Sequence, residues 1–253
     1  MSKPHKNYTL DGNKPLGVGG QAVVRKACDK RDGTIIAFKQ LLPTLRRDEE
    51  SLARMRREIE VQTKVKHRNI MPILDHSESF YWYTMPIANN IFSKLSTPMG
   101  DDIIINVIKD CANGLMEAHE RGYVHRDITP NNILLIDESD DTRWVVSDWG
   151  LVRKRGYTTA VRTLPGRQLG TEGFSAPETW KDAHNVDKRA DVYGLGRVIA
   201  WSLTGEWPAP NLPLLPTGLW KDFVSNTTDI DPNKRPKDMY GVLRLLEKVV
   251  NHL

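Results

Sequence analysis

The sequence predicts an α+β fold, a small, mainly antiparallel β part carrying one helix and then a larger, mainly α-helical part. Three observations predict it. Short β-branched and aromatic runs cluster in the first third of the chain. Long amphipathic stretches at residues 101–121, 187–203 and from Met239 onward dominate the rest. Between them, two short apolar runs, Ile133-Leu134-Leu135-Ile136 and Val145-Val146, each lie beside a polar loop and read as buried strands.

With 253 residues the chain can bury a sizeable core, in one large domain or two lobes. Charged residues make up 27% and mean hydropathy is −0.48, which predicts a soluble, cytoplasmic protein. No run reaches the ~18 apolar residues of a membrane span, and the first residues lack an apolar signal core. No repeat, low-complexity tail or regulatory domain is expected. Cys28 and Cys111 have neither metal-type spacing nor a disulfide framework. The net charge of +4 and pI near 9.0 permit an acidic partner. The basic clusters lack the aromatic interleaving of a nucleic-acid surface, so solvated helix faces and phosphate handling are the better reading.

Taken in order, Leu16, Gly17, Val18, Gly19, Gly20, Gln21, Ala22, Val23 and Val24 predict a hairpin whose glycines let backbone N–H groups approach phosphate oxygens. Residues 34–39 predict a strand with Ile36 and Phe38 on one face and Ile35, Ala37 and Lys39 on the other. Taken alone, Lys39 reads as a snorkelling edge lysine. A helix follows at 49–66, with Leu52, Met55 and Ile59 as its apolar stripe and Glu58 flanking it. Residues 70–75 and 79–85 read as two further strands, ending at Met85, Pro86 and Ala88. The helix at 101–121 carries Ile104, Ile108, Cys111, Leu115 and His119 at helical spacing, with Asp101 as its cap and Gly122 as its end.

The stretch His125-Arg126-Asp127-Ile128-Thr129-Pro130-Asn131-Asn132 places Asp127 and Asn132 five residues apart, on either side of a proline that cannot continue a helix. The strand after it is a rigid floor. Sixteen residues beyond Asn132, a second strand delivers Asp148 in Asp148-Trp149-Gly150. A carboxylate and an amide oxygen on neighbouring hairpin arms form a hard, oxygen-only site suited to Mg²⁺ with phosphates and waters. Asp127 is then free to meet a substrate hydroxyl.

These two motifs resemble the catalytic and metal-binding loops of the eukaryotic-like (Hanks-type) protein kinases, H-R-D-x-x-x-x-N and D-F-G, in the serine/threonine branch. The resemblance spans residues 16–236 and implies a bilobal protein-kinase-like fold as a single domain, with an N-terminal lobe at 1–86 and a C-terminal lobe at 87–253. It implies ATP and Mg²⁺ as cofactors and a protein Ser/Thr hydroxyl as acceptor, with autophosphorylation. Asp127, Lys39, Asn132 and Asp148 would be catalytic, and Asn132 and Asp148 would bind the metal. Leu16, Gly17, Gly19, Gly20, Val24, Ala37, Lys39, Glu58, Met85, Pro86, Ala88 and Leu134 would hold the nucleotide. Glu58 would be the helix glutamate that orients Lys39. Glu60 competes for that role, and the spacing to His67-Arg68-Asn69-Ile70 favours Glu58. Met85 reads as guarding the rear of the adenine pocket or as plain core.

By the same resemblance residues 151–174 form the activation segment, running into Ala176-Pro177-Glu178. Thr158, Thr159 and Thr163 are candidate phosphorylation sites, with Arg126 as a phosphate partner. Thr171 marks serine/threonine rather than tyrosine specificity. Asp191 matches the aspartate that braces the His-Arg-Asp backbone, or is a first-turn carboxylate favoured by the helix dipole. Arg235 would pair with Glu178. Four prolines between Pro208 and Pro216 replace a helix by an extended apolar loop, a partner site or lobe packing.

Three residues depart from the pattern. Gln62 replaces an apolar residue in the stack below the helix glutamate. Trp149 replaces the usual phenylalanine, and with Gln62 it implies a modified or hydrogen-bonded stack. Thr129 replaces a lysine that reaches the transferred phosphate, so a slower reaction or a substituted cation is expected. Alternatives to the kinase reading are a pseudokinase binding module and a small-molecule phosphotransferase of the aminoglycoside type. Ala176-Pro177-Glu178 and Arg235 argue against the latter. Oligomeric state is not legible.

Overall fold

A computed structural model describes residues 6–138, 141–154, 171–181 and 185–253. Six strands build one antiparallel sheet: β1 (Tyr8–Leu10), β2 (Gly17–Val18), β3 (Ala22–Asp29), β4 (Ile35–Leu41), β5 (Asp75–His76) and β6 (Trp82–Met85). Their order is β1-β3-β4-β6-β5, with β2 folded back on β3. The alternation in β4 decides what each face does. Ile36 and Phe38 pack with Tyr8, Ala27 and Trp82 on the outer face, where the Phe38 and Trp82 rings stack at 5.0 Å. Ala37 lies on the other face, in the cluster of Met55, Ile59 and Met71. Lys39, two residues on, shares that inner face.

Helix α1 (Glu49–Lys64) covers the inner face. It starts where Asp48 accepts a bond from the Ser51 amide, and Glu49 and Glu50 in its first turn suit the helix dipole. Met55 and Ile59 are buried beneath it, as the stripe predicts.

The two strands read from the sequence at 70–75 and 79–85 are shorter than expected. Pro72 has no N–H to donate and breaks the first ladder. Met71 instead donates to the Val146 carbonyl at 3.0 Å, and only Asp75–His76 pairs as strand. The second begins at Trp82, because Phe80 sits at φ +56° in a turn.

The helical part is organised around α2 (Asp101–Glu120) and α4 (Arg189–Thr204). Ile108, Cys111 and Leu115 of α2 and Leu195, Val198 and Ile199 of α4 are fully buried in one core. Gly100, not Asp101, occupies the N-cap of α2. The Asp101 carboxylate is drawn off by the Trp220 indole N–H at 2.7 Å, a partner 119 residues away. Gly122, at φ +80°, ends the helix as expected. Short strands lie between the two parts: β7 (Asn90–Ile91), β8 (Tyr123–Val124), β9 (Ile133–Glu138), β10 (Asp141–Val146) and β11 (Arg153–Lys154). β9 and β10 form a hairpin with Ile133 opposite Val146, and β7 pairs with β9. Helices α3 (Pro177–Lys181), α5 (Trp220–Thr227) and α6 (Met239–Val250) complete the fold. Met239, Val242, Leu246 and Val249 of α6 face the core.

The proline-rich stretch from Glu206 to Leu219 contains no helix. A buried arginine of α4 holds it in place. Arg197 donates to the carbonyls of Gly173 (2.8 Å), Leu212 (2.7 Å) and Ala209 (2.7 Å). Arg197→Met keeps the stem but removes the charged donor from three carbonyls, leaving the buried one of Gly173 without this partner. We expect it to lower unfolding free energy by about 3 kcal/mol, read from urea titrations. A loss below about 1 kcal/mol would mean that apolar packing holds the loop instead.

Candidate active site

The turn between β8 and β9 is fixed from beneath. Asp191, in the first turn of α4 and fully buried, accepts the amide of His125 at 2.9 Å and that of Arg126 at 2.8 Å. His119 of α2 meets the same carboxylate at 2.7 Å. The bonds hold Arg126 at φ +70°, a conformation that a non-glycine residue keeps only when its surroundings impose it. His125 is buried against the Trp149 indole, with ring centroids 4.5 Å apart, and its Nε2 lies 3.0 Å from the Ser147 carbonyl. The two polar loops are thus locked to each other.

Asp127 emerges from this turn into the cleft. Its Oδ2 accepts from Asn132 Nδ2 at 3.1 Å, and the same amide nitrogen donates to the Asp127 carbonyl at 2.9 Å. The bonded nitrogen fixes the amide plane, leaving Asn132 Oδ1 as the free lone-pair donor. Asp127 Oδ1 accepts from Thr171, both from its amide (3.1 Å) and its hydroxyl (3.2 Å). Burial pushes the Asp127 carboxyl above the usual carboxylate range, with His125 opposing and the Asp148 charge adding to it.

Asp148 follows β10 at φ +61° and ψ +68°, a left-handed turn that aims its side chain into the same cleft. Lys39 Nζ lies 3.5 Å from its Oδ2. That ammonium holds the Asp148 carboxyl below the usual range, overcoming burial. Lys39 is also clasped by Glu58 of α1, at 2.7 and 2.9 Å from its two oxygens. Burial alone would favour the neutral amine, but the charges of Asp148 and Glu58 outweigh it and keep Lys39 well above its ordinary value. Glu60 instead pairs with Arg56 on the outer surface of α1.

The cleft has a volume of about 760 Å³ and is lined by every residue the sequence assigns to nucleotide or metal, from Leu16 of the glycine hairpin to Asp148. The hairpin closes through Gly19 N–H to the Ala22 carbonyl at 2.9 Å. A Cβ on Gly17 or Gly20 would meet nothing within 4 Å, so these glycines are not required by packing. Open backbone facing a cleft suits the close approach of phosphate oxygens. Met85, Pro86 and Ala88 line the cleft beside Ala37, and Met85 also belongs to the apolar cluster of the sheet's inner face.

Glu178 and Arg235 form a two-pronged ion pair at 2.6 and 2.9 Å, with the guanidinium fully buried. Arg126 donates to the Leu151 carbonyl through Nε and Nη2. Burial, together with repulsion from Arg57 and Arg153, brings its guanidinium down to about 10. Thr158, Thr159 and Thr163 lie outside the described residues. Thr129 is buried. Besides Lys39, two basic side chains among the described residues line the cleft: Arg54, bound to Glu50, and the exposed Lys94.

One further polar contact has no signal in the sequence. The Tyr83 hydroxyl donates to Glu58 Oε1 at 2.7 Å. Gln62, expected in a modified or hydrogen-bonded stack, donates its amide to the Met71 carbonyl at 2.7 Å. Trp149 is fully buried and its indole N–H reaches the Val146 carbonyl at 3.3 Å.

Known proteins share this family and fold. A family model described as the protein kinase domain matches residues 10–214. The serine/threonine-protein kinase PknL of Mycobacterium tuberculosis is 31% identical over 199 residues, covering 76% of this chain and 48% of the relative. The serine/threonine-protein kinase PknB of Mycobacterium leprae is 30% identical over 215 residues, covering 81% and 34%. The chain therefore spans about half or less of the length of these relatives. Among solved structures, the kinase domain of Mycobacterium tuberculosis PknI superposes with a TM-score of 0.71 at 22% identity, covering 97% of this chain and 98% of that one. That likeness shows the two-lobed kinase fold, with the six-stranded sheet and α1 in one lobe and the α2–α4 core in the other. With its family model covering most of the sequence, the chain belongs to the protein kinase domain family.

Proposed function

We propose that the chain is a Mg²⁺- and ATP-dependent protein kinase that transfers the γ-phosphoryl group to Ser/Thr hydroxyls, including its own. In this reading residues 1–253 form one kinase domain with lobes at 1–86 and 87–253, acting in the cytoplasm. One observation carries it: Lys39, Asp127, Asn132 and Asp148, from three separate segments, line a single cleft, with Lys39 3.5 Å from Asp148. The serine/threonine kinase names of the relatives support the choice of acceptor.

The cleft supplies position and charge, which is most of what phosphoryl transfer needs. Lys39, held by Glu58, neutralises phosphate oxygens deep in the cleft. The glycine hairpin covers them with backbone N–H groups. Asp148 and Asn132 Oδ1 are hard oxygen donors, few in number, and fit a cation that keeps waters and phosphates as its other ligands. Bound there, Mg²⁺ would neutralise developing negative charge. Asp127 orients the acceptor hydroxyl and takes its proton late. The environments push the two aspartates apart, Asp127 upward toward a proton acceptor and Asp148 downward toward a permanent anion.

The test is transfer of ³²P from γ-labelled ATP to a Ser/Thr-containing protein mixture by the purified chain. Label is expected on Ser and Thr and on the chain itself, and chelation of Mg²⁺ by EDTA should abolish it. Label confined to inorganic phosphate, or label indifferent to EDTA, would overturn the assignment.

A further inference from the structure

Helix α1 delivers Glu58 to Lys39, and something must hold it inward. Four polar ties do so, at different heights. Glu58 grips Lys39 of β4 at 2.7 Å. The same carboxylate accepts the Tyr83 hydroxyl of β6 at 2.7 Å. One turn later, Gln62 donates to the Met71 carbonyl at 2.7 Å, and Met71 is itself bonded through its amide to Val146 of β10. On the flank, Arg57 donates to the Gly150 carbonyl at 3.1 Å. Two of these ties, from Lys39 and Tyr83, converge on a single carboxylate.

We propose that Tyr83 is a positioning residue for phosphoryl transfer, its hydroxyl fixing the Glu58 carboxylate, and through it helix α1, in the geometry that aims Lys39 into the cleft. The inference rests on the kinase reading above and deepens it.

The geometry favours a directed role over incidental packing. Tyr83 and Glu58 are 1% and 3% exposed, so no water competes for the bond. Lys39 meets both Glu58 oxygens, but from a single nitrogen, so on its own it leaves the carboxylate able to rock about that one point. With Oε1 accepting from both Lys39 Nζ and Tyr83 Oη, the carboxylate plane is set from two strands at once. Burial and the charge of Glu58 push the phenol well above its ordinary value, so it remains a donor at working pH. The phenol ring also lies beneath the Lys39 ammonium, 5.7 Å from its centroid, and substitution by phenylalanine keeps that contact. The hydroxyl can therefore be removed without the ring.

Two measurements test this on the full chain. Steady-state transfer is compared for wild type, Tyr83→Phe, Glu58→Ala and the double variant. Hydrogen exchange of α1 peptides is followed without nucleotide, with α2 peptides as the internal reference. In Tyr83→Phe, kcat should fall about tenfold while KM for ATP stays within about twofold, because the adenine side of the cleft is untouched. Exchange should rise in α1 and not in α2. In the Glu58→Ala background, Tyr83→Phe should cost nothing further, because the carboxylate it positions is gone.

Unchanged α1 exchange in Tyr83→Phe would overturn the proposal. So would an equal fall in kcat with or without Glu58, which would make Tyr83 ordinary scaffold. Should the wild type transfer no phosphate, the kinase reading fails, and the exchange experiment still decides whether Tyr83 holds the helix.

Discussion

Asp127→Asn is expected to lower kcat for protein phosphorylation by about 10³-fold, within the range that a positioned proton acceptor contributes, while ATP affinity changes less than about threefold. The reasons lie in its contacts. Both carboxylate oxygens of Asp127 are engaged: Thr171 occupies Oδ1 with two donors, and Asn132 Nδ2 occupies Oδ2. An amide in its place can neither take a proton nor turn its nitrogen anywhere without meeting one of these donors. None of the residues assigned to the adenine side, such as Ala37, Met85 and Ala88, contacts it by hydrogen bond, so nucleotide binding should survive. Single-turnover labelling alongside equilibrium binding of a fluorescent ATP analogue separates the two quantities. Equal losses in both would mean that Asp127 shapes the nucleotide pocket rather than the chemistry. Thermal unfolding of the variant should stay within a few degrees of wild type, since the turn is held by Asp191 from the opposite side.

The elements that could be read from the sequence are those whose chemistry is local. Asp127, Pro130 and Asn132 declare a turn by spacing alone, and the apolar run after them declares its floor. Alternation in β4 put Lys39 on the face of Ala37 before any partner was known. What could not be read were partners set by tertiary approach. Spacing favours Glu58 over Glu60, but nothing in residues 79–85 announces that the Tyr83 hydroxyl meets it, 25 residues away. His119 read as one more position on an apolar helix face, and is instead bonded to Asp191, 72 residues on. Arg197 lies in a helix whose pattern gives no hint that three carbonyls of two distant loops need a buried fork. Asp101 looked like a cap, because capping is local, and was captured by Trp220 from outside the local window. Periodicity reports which face a side chain occupies. It does not report what arrives on that face.

Gln62 shows how a departure from pattern can be legible while its resolution is not. A glutamine in place of an apolar residue signals an altered stack. The sequence does not contain the fact that Pro72 interrupts the neighbouring ladder and leaves the Met71 carbonyl for a side chain to satisfy. The same interruption that shortens β5 therefore supplies the acceptor that accommodates Gln62. Polar substitution and broken strand are two halves of one local solution.

The second large effect is expected at Asp191, a residue that touches no reactant. Asp191→Asn should lower kcat about 10²-fold, since a displacement of about 1 Å in the reacting groups costs that much, and lower unfolding free energy by about 3 kcal/mol. The carboxylate presents its two oxygens to two backbone N–H groups and to His119. An amide of the same shape has one oxygen, so one amide of the turn faces an N–H instead of an acceptor, and Arg126 loses part of what holds it at φ +70°. The charge makes a further prediction. Burial would raise the Asp191 carboxyl, but the His119 bond, the His119 and His125 charges and the Arg126 amide outweigh it and hold it below the usual carboxylate range. A group depressed in the folded state stabilises the fold fully above its unfolded value, and that contribution is lost as pH falls through the folded value. Urea titrations of wild type and Asp191→Asn across the acid range should therefore differ most near neutrality and converge on acidification. A gap that stayed constant with pH would assign the loss to shape alone, and the brace under the catalytic turn would then owe nothing to its charge.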